Sequence, residues 1–254
     1  MKKILTLALV LIMTLSMFTS CDPVLDKAEE LTYEQVMAKA EEAMKDIAYT
    51  AEMTFDYSTE DETLQQNFKG MDMSNKVTVN KNSFKADLVV VNVGINMVCV
   101  DNVLYYSAPS ANVKYKASVT EEQFKTAMES YTDTDTGVEY TDFADVEMKK
   151  EKGKYVITAE NISTEAMNAL LKETGMNQLG ASIDKVSLSI TVSDDKIEEM
   201  TIKMEMTVKN AQGADTAVTC DIKCAYAYGD NVEEIKAPSD ADSYTEIPFD
   251  QLWG

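Results

Sequence analysis

The sequence predicts an α+β domain: one large curved antiparallel sheet of about ten strands with three amphipathic helices on its apolar face. Three observations predict it. Three segments open with a helix-start signature and continue with an apolar stripe at helical spacing. Several long segments alternate apolar and polar residues with period two, as strands with one dry and one wet face do. The connections between those segments are short, and with 4 Pro in 254 residues no linker-like stretch divides the chain.

Residues 1–20 have the layout of an export address. Lys2 and Lys3 give a positive start, and Ile4 to Phe18 then run apolar apart from Thr6, Thr14 and Ser16. That stretch falls short of the ~20 residues a bilayer-spanning helix needs and fits a secretory h-region. Residues 21–30 are mostly polar and form a tether, which leaves 31–254 as the folded domain. The longest later apolar run, Leu88 to Val100, is interrupted by Asn92, Gly94 and Asn96.

The folded domain opens with a capping box of Thr32 and Gln35, with Leu31 placed to staple to Val36. Val36, Ala40, Ala43, Met44 and Ile47 then share one stripe. From Ala48 to Ser58, Tyr49, Ala51, Met53, Phe55 and Tyr57 alternate with mostly polar neighbours, which predicts a strand. Further strands are predicted over Leu64–Met73, Lys76–Asn80, Ser83–Val91, Ile95–Val100, Val103–Ser107 and Val113–Ala117. Thr120 and Gln123 repeat the capping box, Val119 can staple to Phe124, and Phe124, Ala127, Met128 and Tyr131 form the second stripe. Val146–Lys150 and Tyr155–Glu160 make a hairpin around Gly153. Ser163 starts the third helix, with Met167, Leu170 and Leu171 on its stripe and Gly175 as its stop. Three long strands close the pattern. Val186, Leu188, Ile190 and Val192 mark the first; Asp194-Asp195 turns into Met200, Ile202, Met204, Met206 and Val208; Gly213 turns into Val218, Cys220, Ile222 and Cys224.

Composition narrows the chemistry. The chain has no His and no Arg, and 44 acidic residues against 23 Lys give a formal charge of −21. Imidazole bases, His–nucleophile pairs and His-ligated metals are therefore excluded. The bidentate guanidinium that phosphate and nucleic-acid sites favour is missing, and an acidic surface repels nucleic acid. No enzyme activity, no cofactor, no metal site and no nucleic-acid partner are expected. The acidic run Asp133-Thr134-Asp135-Thr136-Gly137-Val138-Glu139 lacks the glycine placement and third ligand of a calcium loop and fits a solvated loop. Asn161-Ile162-Ser163 is a glycosylation sequon in form, but Ser163 is better explained as a helix cap. Pairs such as Asp61-Glu62 and Glu198-Glu199 fit solvated faces.

Two resemblances add to this. Phe18-Thr19-Ser20-Cys21 resembles the lipobox of bacterial lipoproteins, departing from it at Phe18, where Leu is usual. The resemblance implies that Cys21 is diacylated and becomes the mature N-terminus, holding the protein on the extracytoplasmic face of the cell membrane. Loss of Lys2 and Lys3 then takes the formal charge from −21 to −23. Acyl chains at roughly 0.8 kcal/mol per buried CH₂, and not surface charge, would supply the attachment. Further on, the closing Val232-Glu233-Glu234-Ile235-Lys236-Ala237-Pro238-Ser239-Asp240-Ala241 resembles the end of the LolA/LolB-like and LppX/LprG-like lipoprotein superfamily. Val103-Leu104-Tyr105-Tyr106 followed by Lys114-Tyr115-Lys116 resembles a strand pair of the same group, with Tyr115 where Trp is common. That resemblance spans most of 31–241. It implies a half-barrel sheet closed by helices around an apolar cavity able to hold acyl chains, and it carries no catalytic residues.

The residues expected to line such a cavity are Met53, Phe55, Leu188, Ile190, Met200, Met204, Met206 and Ile222. Met is a modest strand former, yet its flexible thioether suits an adaptable wall. The same residues would equally serve as plain core beneath helices. Two functions follow: a lipoprotein that binds a lipid acyl chain, or an envelope interaction or sensor module with a filled core and an unknown protein partner. Cys220 and Cys224, four residues apart on one strand, stand about 13 Å from each other and cannot pair. Cys99 with either of them could form one disulfide, or all three could be buried thiols.

Overall fold

The fold comes from a computed structural model, and the structure describes residues 31–45, 47–69, 73–80, 82–90, 92–124, 145–160, 182–210 and 212–253. The elements are helix α1 (Tyr33–Lys45), strand β1 (Tyr49–Thr59), helix α2 (Glu62–Lys69) and strands β2 (Ser74–Asn80), β3 (Ser83–Val90), β4 (Val93–Val100), β5 (Val103–Ala108) and β6 (Val113–Ser118). Then come β7 (Val146–Glu151), β8 (Lys154–Ala159), β9 (Ser182–Ser193), β10 (Lys196–Lys209), β11 (Asp215–Tyr228), β12 (Thr245–Glu246) and helix α3 (Phe249–Trp253).

All twelve strands among the described residues join one open sheet in the order β12-β6-β5-β4-β3-β2-β1-β11-β10-β9-β8-β7. Two meanders build it. β1 to β6 run from the centre to one edge, and β7 to β11 run from the other edge back to the centre. They meet where β1 pairs antiparallel with β11, from Tyr49 opposite Tyr228 to Thr59 opposite Val218. Only the short β12 is parallel, against β6. Three hairpins turn through two residues of positive φ: Asp101-Asn102 (51° and 62°), Lys152-Gly153 (50° and 87°) and Asp194-Asp195 (50° and 54°). Such turns match the right-handed twist of the strands they join.

Directly opposed residues share a face, so the register sorts the chain into an apolar and a more polar side. One apolar row runs Met53–Cys224–Met200–Ile190–Ile157–Met148. The next runs Phe55–Ile222–Ile202–Leu188–Ala159–Val146. On the other side of β1 the same face carries the row Tyr49–Val79–Phe84–Cys99–Leu104–Ala117.

This face holds two cores. The first packs Val36, Met37 and Ala40 of α1 onto Met53, Ile190, Met200, Cys220, Ile222 and their neighbours on β1 and β8 to β11. The second joins Phe84, Ala86, Leu88, Met97, Cys99 and Leu104 of β3 to β5 with Val119, and Phe124, Phe249 and Leu252 pack against it. The capping box of α1 forms as expected: Gln35 N donates to Thr32 Oγ1 at 3.4 Å, and Thr32 N donates to Gln35 Oε1 at 3.0 Å. Its buried stripe is Val36, Met37 and Ala40, with Met44 half-buried and Met37 missing from the expected set. The box at Thr120 forms too, at 3.2 and 2.9 Å, and the Val119–Phe124 staple lands in the second core. The structure describes that helix only for its opening turn, 121–124.

The expected strand over Leu64–Met73 is corrected: 62–69 is helix α2. Asp61 caps it, its Oδ1 accepting from Thr63 N and Leu64 N, both at 3.0 Å. Glu62 in the first turn and Lys69 in the last suit the helix dipole. Its Phe68 stacks on Tyr57 of β1 at 5.0 Å. Asp61 is thus no idle surface acid. Glu198 and Glu199 are paired as well, with Lys154 and, at 2.7 Å, with Lys223.

After β11 the chain crosses the opposite face of the second half. Glu233 lies 3.8 Å from Lys85, Asp240 pairs with Lys114, and buried Tyr244 packs edge-on to Tyr105 at 5.4 Å. The Lys114–Asp240 hydrogen bond raises the lysine pKa and lowers the carboxyl pKa. β12 then adds to the edge of β6, and α3 returns to the apolar face with Phe249 and Leu252. Residues 1–30, the remainder of the second helix with Ala127, Met128 and Tyr131, the acidic run from Asp133, the third helix with Met167, Leu170 and Leu171, and the sequon lie outside the described residues.

Candidate functional site

The eight candidate wall residues, scattered over four sequence segments, come together on the apolar face of the first core. β1 supplies Met53 and Phe55, β9 supplies Leu188 and Ile190, β10 supplies Met200, Met204 and Met206, and β11 supplies Ile222. Period-two alternation puts each on the same side, and the register aligns them laterally. Met53, Ile190, Met200 and Ile222 keep 2 % or less of their surface exposed, and Met204 keeps 7 %. Phe55, Leu188 and Met206 are half-buried, as is Ile202 between Ile222 and Leu188 in the second row. The face therefore combines a sealed row with a neighbouring row in which Phe55, Ile202 and Leu188 keep some apolar surface while Ile222 and Ala159 are covered.

Its electrostatics are uniform. Among the described residues the buried polar side chains are Thr50, Asn75, Thr78 and Ser107, with no Asp, Glu or Lys. Thr50 and Thr78 satisfy each other at 3.0 Å. Cys220 and Cys224 are free buried thiols, and burial pushes each up to about 12. Cys99 is also free and is pushed by burial up to about 11. The disulfide alternative is thereby corrected: Cys99 lies in the second core, four strand spacings or ~19 Å from β11, well beyond the ~7 Å a bridge allows. Tyr49, Tyr226 and Tyr228 cluster beside Cys224 with ring centroids 6.3 to 6.4 Å apart. Burial raises all three phenols, Tyr49 to about 12. These raised thiols and phenols are all neutral near pH 7. What the surface can do chemically is remove apolar area from water, at roughly 25 cal/mol per Å².

One residue breaks the pattern. Asn75 on β2 stands opposite Met53 on one side and Leu88 on the other, at the seam between the two cores. It is 5 % exposed, and its Oδ1 has no hydrogen-bond partner. Leaving such a group unpaired costs about 1–3 kcal/mol, and Asn is depleted in strands. Sequence reasoning passes over Asn75 because its placement depends on the register of β2 against β1. It also passes over the second core and α3, although Phe249 and Leu252, three apart after Pro248, carry a faint helical signal.

No group of three or more metal-ligating side chains occurs among the described residues. No described helix is long and apolar enough to cross a membrane. No protein-family model matches the chain, and no curated protein matches its sequence.

Proposed function

We propose that the protein is a membrane-anchored, extracytoplasmic lipoprotein of LolA-like half-barrel type that binds an apolar ligand, such as a lipid acyl chain, and catalyses no reaction. Cys21 carries the acyl anchor, and the helices act as a cover over the apolar face. The observation that carries the proposal is the second row of that face. Phe55, Ile202 and Leu188 are half-buried in one row, with covered Ile222 between the first two, next to a Met-rich sealed row and with no buried charge among the described residues. A reversible chain-binding wall needs that combination of exposed apolar surface and side chains that can repack.

A second function is favoured by a different observation. Met53, Ile190, Met200 and Ile222 are almost fully covered, as in a filled core that uses its outside to meet a partner. The two separate in one experiment. Full-length protein taken from membranes in mild detergent and weighed by native mass spectrometry should carry an added mass that organic solvent extracts. Protein that is repeatedly bare points to the interaction module. For the anchor, Cys21→Ala should move the protein from the membrane to the soluble fraction; retention on the membrane contradicts it.

A further inference from the structure

We propose that Asn75 is the polar anchor of the ligand site: its Oδ1 accepts a hydrogen bond from an uncharged donor, a hydroxyl or an amide N–H, on a long-chain amphiphile. The alkyl chain of that amphiphile lies over Phe55, Ile202 and Leu188. The inference rests on the apolar face being a ligand site and names the class of ligand.

Three features lead there. Buried side-chain oxygens are nearly always hydrogen-bonded, yet Asn75 Oδ1 is buried and unpartnered. Its position is on the apolar face itself, with its Cβ about 4.5–5.5 Å from those of the opposed Met53 and Leu88. It is therefore beside the wall and not on the wet side of the sheet. The distance also fits. From β2 across β1, β11 and β10 to Leu188 on β9 is four strand spacings, ~19 Å, the reach of a long alkyl chain.

The chemistry of the atom selects the partner. In the structure the buried atom of the Asn75 amide is its oxygen, which only accepts, so in this orientation its partner must donate. An ionised carboxylate has no donor, and an ester or alkane has none either. An ammonium could donate, but it would bring its charge to a face with no buried carboxylate among the described residues, which is costly. Long-chain alcohols and N-acyl amides remain: apolar chains with one neutral donor near the head. A site built around an unpaired acceptor discriminates strongly against analogues that leave it unpaired.

The test is competition against a fluorescent alkyl probe bound to the delipidated full chain. The competitors are hexadecanol, N-hexadecyl acetamide, methyl hexadecanoate and hexadecanoate. Hexadecanol and the amide should compete on the order of tenfold better than the ester and the acid. In Asn75→Leu that preference should vanish. The variant should melt no lower than the wild type, because it removes an unpaired buried oxygen at similar volume. Equal affinities in the wild type, preference for the acid, or a preference that survives Asn75→Leu would overturn the proposal. A less stable Asn75→Leu would show that the amide serves the fold, and would overturn it too. If no competitor and no probe binds, the ligand-binding function itself fails, which is distinguishable from a site that binds chains without preference.

Discussion

The two halves of the sheet share one apolar face but are finished differently. In the first half α1 lies on β9 and β10, and the core is rich in thioethers: Met37, Met53, Met200 and Met204 are buried, with Met44, Met148 and Met206 around them. In the second half Met97 is the single buried Met of a core made mostly of Phe84, Leu88, Leu104 and small residues, among the described residues. That half is also strapped from outside. The chain after β11 crosses its opposite face, adds β12 to its edge and returns α3 to its core. A wall that must admit a guest benefits from flexible side chains and one incomplete row; a scaffold benefits from branched and aromatic packing fixed on both faces. Under the proposed function, the contrast would place binding in the first half and stiffness in the second.

The sharpest way to break that contrast is to cut both cores. Phe84→Ala in the second half should cost about 3–5 kcal/mol, because a large buried ring leaves a cavity. Met204→Ala in the first should cost less, about 2 kcal/mol, because its flexible Met neighbours can close part of the space. Denaturant unfolding measures both, and equal losses would erase the distinction. Next in size is the strap. Ending the chain after Ile247 removes Phe249 and Leu252 and should cost about 2 kcal/mol, the worth of two partly buried apolar side chains, with probe binding in the first half unchanged.

Alkaline pH sharpens the comparison through the thiols. The folded state holds their protons longer than the unfolded chain, whose thiols titrate near the ordinary 9.0. Their contribution is therefore full below pH 9 and is lost as the pH rises toward 11 to 12. The first half carries two such thiols and the second one, so replacing Cys220 and Cys224 by Ala should flatten the alkaline loss more than Cys99→Ala. Unfolding midpoints between about pH 8 and 9.5, below the ordinary phenol value of 10.0, measure it. The smallest expected effect is at the caps: Thr32→Ala and Thr120→Ala should each cost about 1 kcal/mol, seen as a lowered melting temperature.

The long strands are legible in the sequence because period-two alternation has one meaning when one face is dry and the other wet. Val186 to Val192 and Met200 to Val208 show it cleanly. The capping boxes at Thr32 and Thr120 are legible because two orphan donors are satisfied by residues at fixed spacing. Helix α2 is not: Leu64 and Phe68 are too few apolar residues to display a helical period in eight positions, and its Asp61 cap resembles any surface acid. The eight wall residues are legible as a face but not as a site, since alternation cannot tell a sealed row from a half-exposed one. Asn75, the two-core division and the strap are illegible for a single reason. Each depends on which strand lies beside which, and the central β1–β11 pairing joins residues more than 150 positions apart.

The most direct measurement is photo-crosslinking of a diazirine-bearing alkyl chain to the full-length protein, with the labelled peptides mapped by mass spectrometry. Labels should concentrate on 49–59, 182–193 and 196–209, around Phe55, Leu188 and Ile202, and should be absent from 83–108. Labels on the second core, or an even scatter over both halves, would contradict the assignment of binding to the first half.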